Sequence, residues 1–173
     1  MLSPKLEQAL NDQVNAELYS AYLYLAMSAH FSDQNLEGFA HWMNLQAQEE
    51  MGHAMKFYAF INERGGRNIL KSIDAPPASW KSSTSVFEAV LEHEQKVTAL
   101  INDLVNLAIA EKDHATNIFL QWFVTEQVEE EASVNSVLQK LKLLGNDGGG
   151  LFMIDRELSA RAVACPCSQQ AAA

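Results

Sequence analysis

Residues 43–57 read MNLQAQEEMGHAMKF, and their spacing decides the fold. Non-polar residues recur there at steps of four and three, which is the period of one helix face. The series is Met43, Ala47, Glu50, Ala54 and Phe57. Glu50 is therefore expected in the middle of an apolar helix face, where an uncompensated carboxylate would cost several kcal/mol.

Three other stretches repeat this pattern, each with a polar interruption near its middle. They are Leu10, Val14, Glu17, Ala21 and Tyr24; Phe87, Leu91, Glu94, Val97 and Ile101; and Leu120, Phe123, Gln127, Glu130 and Val134. Since the net stability of a domain is only about 5–15 kcal/mol, four inward carboxylates require a cation. Their mid-helix positions predict that they meet at one height in a bundle.

Capping signals delimit the first two helices. Ser3 followed by Pro4 is typical of a helix start, so we expect a first helix that ends at about His30. The polar turn at residues 32–35 is short, which makes the second helix, at about 36–63, antiparallel to the first. Glycine follows directly at residues 65 and 66 and ends that helix.

A long irregular segment that contains Pro76-Pro77 separates the second helix from the third. At about 3.3 Å per residue this segment extends to roughly 60 Å, whereas a helix of about 28 residues is only about 42 Å long. The segment can therefore cross the whole bundle and make helices two and three parallel.

The remaining signals complete the expected fold. Ser85 followed by Glu88 resembles a capping box that opens the third helix, and the fourth helix ends at Gly145. Glycines 148–150 predict a hinge before a short helix at about 151–164. The predicted fold class is all-α: a four-helix bundle with a long crossover between helices 2 and 3 plus a short C-terminal fifth helix.

We expect one domain at residues 1–164 and a flexible C-terminal tail at residues 165–173. The tail contains Cys165 and Cys167, whose two-residue step is neither a Cys-x-x-Cys redox motif nor a pair of zinc knuckles. The tail is expected to take no part in chemistry.

The charge composition limits the kinds of binding partner that the protein is expected to have. Among 173 residues, 22 acidic against 12 basic side chains give a formal net charge of −10, which disfavours nucleic acid and anionic membranes and favours cations. The chain begins without a secretory pattern and contains no run near the roughly 20 apolar residues of a membrane span. We therefore expect a soluble, cytoplasmic protein.

The interrupting residues have the chemistry of metal ligands. Glu50 and His53 are three apart, so both side chains of a helix can reach one ion. An isolated Glu-x-x-His pair arises by chance in many helical proteins, but here three other helices add buried carboxylates. Four carboxylates and one imidazole favour iron or manganese over thiolate-type zinc or copper, and bridging carboxylates would hold two ions.

With these motifs, the chain resembles the bacterial non-haem ferritins from Ser3 through the short fifth helix. The resemblance implies one iron at Glu17, Glu50 and His53, and a second at Glu50, Glu94 and Glu130, with Glu50 bridging. It places Gln127 and Tyr24 beside this di-iron centre and gives Trp122 a role in supplying electrons. It also implies a third iron site at Glu49, Glu126 and Glu129 with Glu130, although adjacent Glu residues are more usually a solvated helix face.

The resemblance further implies a ferroxidase and iron store. Fe(II) would be oxidised by O₂ or H₂O₂, and the ferric mineral would be stored inside a hollow homo-oligomeric shell of 24 subunits.

Two alternatives stay open. A haem-containing bacterioferritin would use a methionine such as Met51, but Glu130 stands where that family has the histidine of a second Glu-x-x-His motif, so we expect no haem. A metal-free helical scaffold would keep its interior Glu residues protonated or hydrogen-bonded.

His93 is expected not to be a ligand, because it points about 100° away from Glu94 around its helix.

Overall fold

The computed structural model describes residues 2–145 and 148–162, which form five α-helices and no strand. They are α1 (Pro4–Asp33), α2 (Glu37–Glu63), α3 (Ser83–Ala110), α4 (His114–Leu144) and α5 (Gly148–Leu158). The all-α class, the four long helices and the short fifth helix are confirmed. The predicted tail, with both cysteines, lies outside the described residues.

The predicted start of α1 is confirmed, whereas its predicted end at residue 30 is three residues too early. The backbone N–H of Leu6 donates to Ser3 Oγ over 3.3 Å, and Pro4 occupies the first turn. The helix continues to Asp33. Its last turn carries the fully buried Phe31, whose ring stacks on Phe39 with the centroids 4.9 Å apart, so core packing extends the helix.

The capping box of α3 lies one turn earlier than predicted. Ser82 Oγ accepts a hydrogen bond from the N–H of Ser85 over 3.1 Å, and Ser85 Oγ accepts from the N–H of Ser82 over 2.9 Å. The predicted pair of Ser85 with Glu88 was therefore wrong. Two serines three apart already satisfy both backbone donors, so the helix begins at Ser83.

The predicted hinge at residues 148–150 was also wrong, since these glycines form the first turn of α5. The helix ends at Leu158, earlier than predicted, and buries Ile154 and Leu158. Because these two side chains pack onto the bundle, tertiary contact here outweighs the weak helix propensity of glycine.

The segment between α2 and α3 runs along α1 from its first turns to its last. Asn11 Nδ2 donates to the carbonyl oxygen of Arg67 over 3.0 Å. Further along, the ring of Trp80 lies 5.3 Å from that of His30. Since α2 and α3 therefore begin at the same end of the bundle, they are parallel and the predicted crossover is confirmed.

The core consists of two apolar clusters with a polar layer between them. One contains Tyr24, Met27, Phe31, Phe39 and Phe87, and the other contains Leu6, Leu10, Phe57, Ile101 and Phe123. Along every long helix the sequence passes from one cluster to the other through the polar interruptions. The bundle therefore brings these interruptions to one level.

The short helix α5 caps the start of α2. Asp155 Oδ1 accepts hydrogen bonds from the N–H of Gly38 over 2.8 Å and of Phe39 over 3.0 Å. These donors need a partner from elsewhere, because Leu36, at the N-cap position, makes no side-chain cap. A Cβ at Gly38 would lie 1.7 Å from the carbonyl oxygen of Asp155, so this contact requires glycine.

Among the described helices, none has the length and hydropathy that crossing a membrane would need.

Candidate metal centre

The polar layer collects seven of the predicted site residues from all four long helices. They are Glu17 and Tyr24 on α1, Glu50 and His53 on α2, Glu94 on α3, and Gln127 and Glu130 on α4. None is more than 5% exposed. The sequence spacing thus located a layer of buried carboxylates, although spacing alone did not fix which of them approach one another.

Potential metal ligands form two groups that share His53. The first contains Glu17, Glu50 and His53, with one ligand atom of each lying within 4.8 Å of the others. Within it, His53 Nδ1 lies 3.2 Å from Glu50 Oε2. This group is the set that the resemblance implies for one iron, and that ligand assignment stays a prediction.

The second group contains His53, Glu126 and Glu130. Glu126 Oε1 lies 4.0 Å from His53 Nε2, on the side of the imidazole opposite to Glu50. Glu94, which the resemblance assigns to the second iron, belongs to neither group among the described residues. The structure therefore brings Glu126, a residue of the predicted third site, up to the main centre.

Glu94 is held by two hydrogen bonds from other helices. The Tyr24 hydroxyl donates to Glu94 Oε1, and Gln127 Nε2 donates to Glu94 Oε2 over 3.3 Å. Gln127 also donates to Thr98 Oγ1 over 3.2 Å. Tyr24 and Gln127 therefore orient the carboxylate of Glu94, and both side chains lie next to the centre.

Two buried glutamines that hold carboxylates of the centre were not among the predicted site residues. Gln13 Nε2 donates to Glu17 Oε1 over 2.9 Å, and Gln46 Nε2 donates to Glu130 Oε2 over 2.7 Å. A signal was available, because each glutamine lies four residues before a stripe carboxylate and so shares its helix face. For Gln46, however, the partner is on α4 rather than its own helix.

The charge balance of the layer favours a cation. Glu17 Oε2 is buried and has no hydrogen-bond partner among the described residues. Burial raises the pKa of Glu17, and the nearby Glu50 raises it further. Burial and then the charge of Glu94 raise the pKa of Glu130 to about 7. A divalent cation would supply the missing partner and relieve this repulsion, so the donor set fits iron.

The pKa values of Glu50 and Glu94 are raised as well, in each case chiefly by burial. For Glu50 the charge of Glu94 adds to the shift, whereas the hydrogen bond from Tyr24 opposes it for Glu94. All four carboxylates are thus harder to ionise without a cation than carboxylates in water.

The three remaining residues of the predicted third site lie in different surroundings. Glu126 is half-buried, Glu129 is exposed, and Glu49 is half-buried and pairs with Arg161. This last contact was not predictable from helical spacing, since Arg161 follows α5 and lies far from Glu49 in sequence. The third site stays a prediction.

Two further side chains complete the surroundings. The ring of Trp122 meets that of His53 edge-on, with centroids 5.4 Å apart, so it lies against a ligand candidate. His93 instead turns to α1, where its Nε2 lies 2.8 Å from Ser20 Oγ. Burial lowers the pKa of His93 to about 4, so it is neutral at pH 7.

A bundle of four long helices around buried carboxylates and one imidazole is typical of helical proteins that can hold a metal centre inside a single chain. The chain belongs to the ferritin family, since residues 7–144 match the family described as the ferritin-like domain. The resemblance to bacterial non-haem ferritins is thereby confirmed.

Individual relatives agree with this assignment. A bacterial non-heme ferritin of Bacteroides fragilis is 47% identical over 161 residues, which cover 93% of this chain and all of the relative. One of Escherichia coli O157:H7 is 40% identical over 159 residues, 92% of this chain and 96% of the relative. Among solved structures, the open-pore ferritin of the archaeon Archaeoglobus fulgidus has a TM-score of 0.93 and 51% identity, with 94% of this chain and all of that chain covered.

Proposed function

We propose that the protein is an iron-storage ferritin that oxidises Fe(II) to Fe(III) at an intrasubunit di-iron centre. The oxidant is O₂ or H₂O₂, and the ferric mineral is kept inside a hollow shell of 24 subunits in the cytoplasm. The observation that carries the proposal is the buried layer of four carboxylates, in which Glu17 Oε2 lacks a partner among the described residues.

The residues of the layer perform separate tasks. Glu17, Glu50 and His53 bind one Fe(II), and Glu94 and Glu130 with Glu50 bind the second. Since burial favours the protonated forms of these carboxylates, Fe(II) binding releases protons to solvent. Oxygen ligands stabilise Fe(III) more than Fe(II), so the same carboxylates make electron loss easier.

Two adjacent Fe(II) ions supply the two electrons that each of the two oxidants accepts in one step. Two Fe(II) ions give the two electrons that reduce H₂O₂ to two water molecules, with two protons taken up. With O₂, the same two electrons and two protons yield H₂O₂. The Tyr24 hydroxyl and the Gln127 amide keep Glu94 oriented during this step.

Fe(III) then leaves toward the mineral through the third cluster, which we define as Glu49, Glu126 and Glu129. Within this cluster, Glu126 makes the connection to the centre, because it approaches His53 and is grouped with Glu130. An ion can therefore pass between them without crossing an apolar layer.

Anaerobic Fe(II) titration of the apoprotein with stopped-flow oxidation tests the proposal. We expect at least two tight ions per chain and rapid oxidation. Glu94→Ala and Glu130→Ala should each abolish rapid oxidation while the shell, seen by electron microscopy, stays assembled. Glu92→Ala is the matched control, because Glu92 lies on α3 but is exposed.

Other outcomes identify the alternatives. Unchanged oxidation kinetics in both centre variants would refute the site assignment, and no tight iron in the wild type would leave a metal-free scaffold. Strong Soret absorption in the purified protein would instead indicate a haem-containing bacterioferritin, with the half-exposed Met51 as the residue to examine.

A further inference from the structure

The carboxylate of Glu49 already has a cation partner within the chain. Arg161 Nη2 lies 2.8 Å from Glu49 Oε2, and the two side chains are 26% and 21% exposed. A half-buried pair is screened less by solvent than a surface pair, so this contact neutralises much of the Glu49 charge. In contrast, the charged or ionisable neighbours of Glu17 are Glu50 and His53, and those of Glu50 are other carboxylates and His53.

Arg161 is held in place by contacts on other sides. Its guanidinium lies 4.9 Å from the ring centroid of Trp42, which is a cation–π distance. Its carbonyl oxygen lies 3.0 Å from His41 Nε2. Both partners are on α2, about two turns before Glu49, so the α2 surface itself orients the guanidinium toward Glu49.

The pairing is incomplete. Arg161 Nη1 is buried and has no hydrogen-bond partner among the described residues. A buried donor without a partner is destabilising. The bound position of the guanidinium is therefore less favourable than a two-pronged pair, such as the one Arg64 makes with both oxygens of Asp113. A competing cation has less to displace at Glu49.

The position of Arg161 depends on α5. Asp155, six residues before it, accepts the hydrogen bonds from the start of α2, and this contact docks α5. The chain after α5 then reaches Glu49 along the surface of α2. Occupancy of Glu49 by the guanidinium is thus linked to the docked state of the C-terminal segment.

We propose that the Arg161 guanidinium occupies the cation position of the third cluster, so that a divalent ion binds at Glu49 only by displacing it. This inference rests on the proposed function, because it concerns the passage of iron from the di-iron centre. The exchange makes the third cluster a weak site that an ion leaves easily, whereas no guanidinium competes for the centre. Arg161 is a positioning residue for Glu49 and never touches the oxidation site.

Zn(II) calorimetry on the assembled, iron-free protein tests this inference without any redox step. Arg161→Gln removes the charge but keeps a polar side chain of moderate length. We expect the Kd of the third Zn(II) per chain to fall on the order of tenfold, while the first two ions bind as in the wild type. Arg161→Lys, which keeps the charge, should lie nearer to the wild type.

Lys140→Gln is the matched control. It removes one positive charge from the neighbouring surface, where Lys140 pairs with Glu157 of α5 at 2.5 Å and does not contact Glu49. Equal tightening in both variants would show a general field effect and overturn the inference. So would a third Kd that Arg161→Gln changes less than twofold, or the absence of a third ion from both proteins.

The number of tight ions bound by the wild type separates a wrong role for Arg161 from a wrong di-iron centre. If the wild type binds two tight ions and Arg161→Gln leaves the third Kd unchanged, only the inference is wrong. If the wild type binds no tight ion, the di-iron centre itself is refuted. Asp155→Ala adds a second arm, because undocking α5 should also tighten the third ion, by less than Arg161→Gln does.

Discussion

Glu130 shows how much of this centre depends on the surroundings of single side chains. Its carboxylate is 5% exposed, accepts a hydrogen bond from Gln46 and faces the charge of Glu94. The hydrogen bond from Gln46 therefore stabilises the ionised form of Glu130, whereas the charge of Glu94 stabilises the protonated form. A metal ion would shift this balance toward the ionised form.

The hydrogen bond from Gln46 to Glu130 should be necessary for normal ion binding at the centre. Gln46→Leu keeps the size of the side chain but removes the only glutamine amide that donates to Glu130 within the described residues. We expect ion binding or oxidation at the Glu130 side of the centre to weaken about tenfold or more, as is typical when a ligand loses its hydrogen-bond partner.

Anaerobic Fe(II) titration and stopped-flow oxidation measure this effect, and the Tm separates it from unfolding. The control is Gln48→Leu, since Gln48 is exposed on the same helix and its amide donates to Asn44. Normal ion binding in Gln46→Leu would mean that Glu130 needs no such support.

At the scale of elements, α5 is joined to α2 through one carboxylate and one glycine. Asp155 supplies the cap that the residues before α2 do not supply, and Gly38 permits the close approach of the two backbones. The placement of α5 is therefore decided by two residues far apart in the sequence.

Gly38→Ala should consequently undock α5. The added methyl would meet the Asp155 backbone at 1.7 Å, and overpacking of this kind costs about 1–3 kcal/mol or more. Gly52→Ala on the same helix is the control, because nothing lies within 4 Å of its Cβ and alanine there should stabilise the helix by about 0.5–1 kcal/mol.

Thermal unfolding and hydrogen exchange at residues 148–158 measure the two changes. We expect Gly38→Ala to lower the apparent Tm and expose the amides of α5, and Gly52→Ala to do neither. Full protection of α5 in Gly38→Ala would contradict this account of its docking.

At the scale of the whole molecule, the buried carboxylates make stability depend on pH. The folded chain holds a proton on Glu130 up to a pKa of about 7, against 4.5 for an ordinary Glu. Between these values the folded state binds more protons than the unfolded state, so the stability of the metal-free protein falls as pH rises. The shifts of Glu17, Glu50 and Glu94 have the same sign.

The apparent Tm of the metal-free protein should therefore be higher at pH 5 than at pH 8. Glu130 alone contributes roughly 2–3 kcal/mol to this difference, which corresponds to roughly 5–10 °C for a chain of this size. Zn(II) should reverse the trend, because metal binding favours the ionised carboxylates. Differential scanning calorimetry across this range checks both, and a flat metal-free profile would contradict the raised pKa values.

Sequence patterning alone determined the four long helices, the crossover and the layer of Glu17, Glu50, Glu94 and Glu130. These features follow from helical periodicity, which is a local property, and from the cost of burying charge, which holds in any fold.

Only the tertiary structure decided that Gln46 holds Glu130, that Glu126 rather than Glu94 joins the second ligand group, and that Arg161 reaches Glu49. It also decided that α5 begins with three glycines. Each of these features depends on how one element is rotated and shifted against another. The periodicity of a single helix does not determine that relative placement.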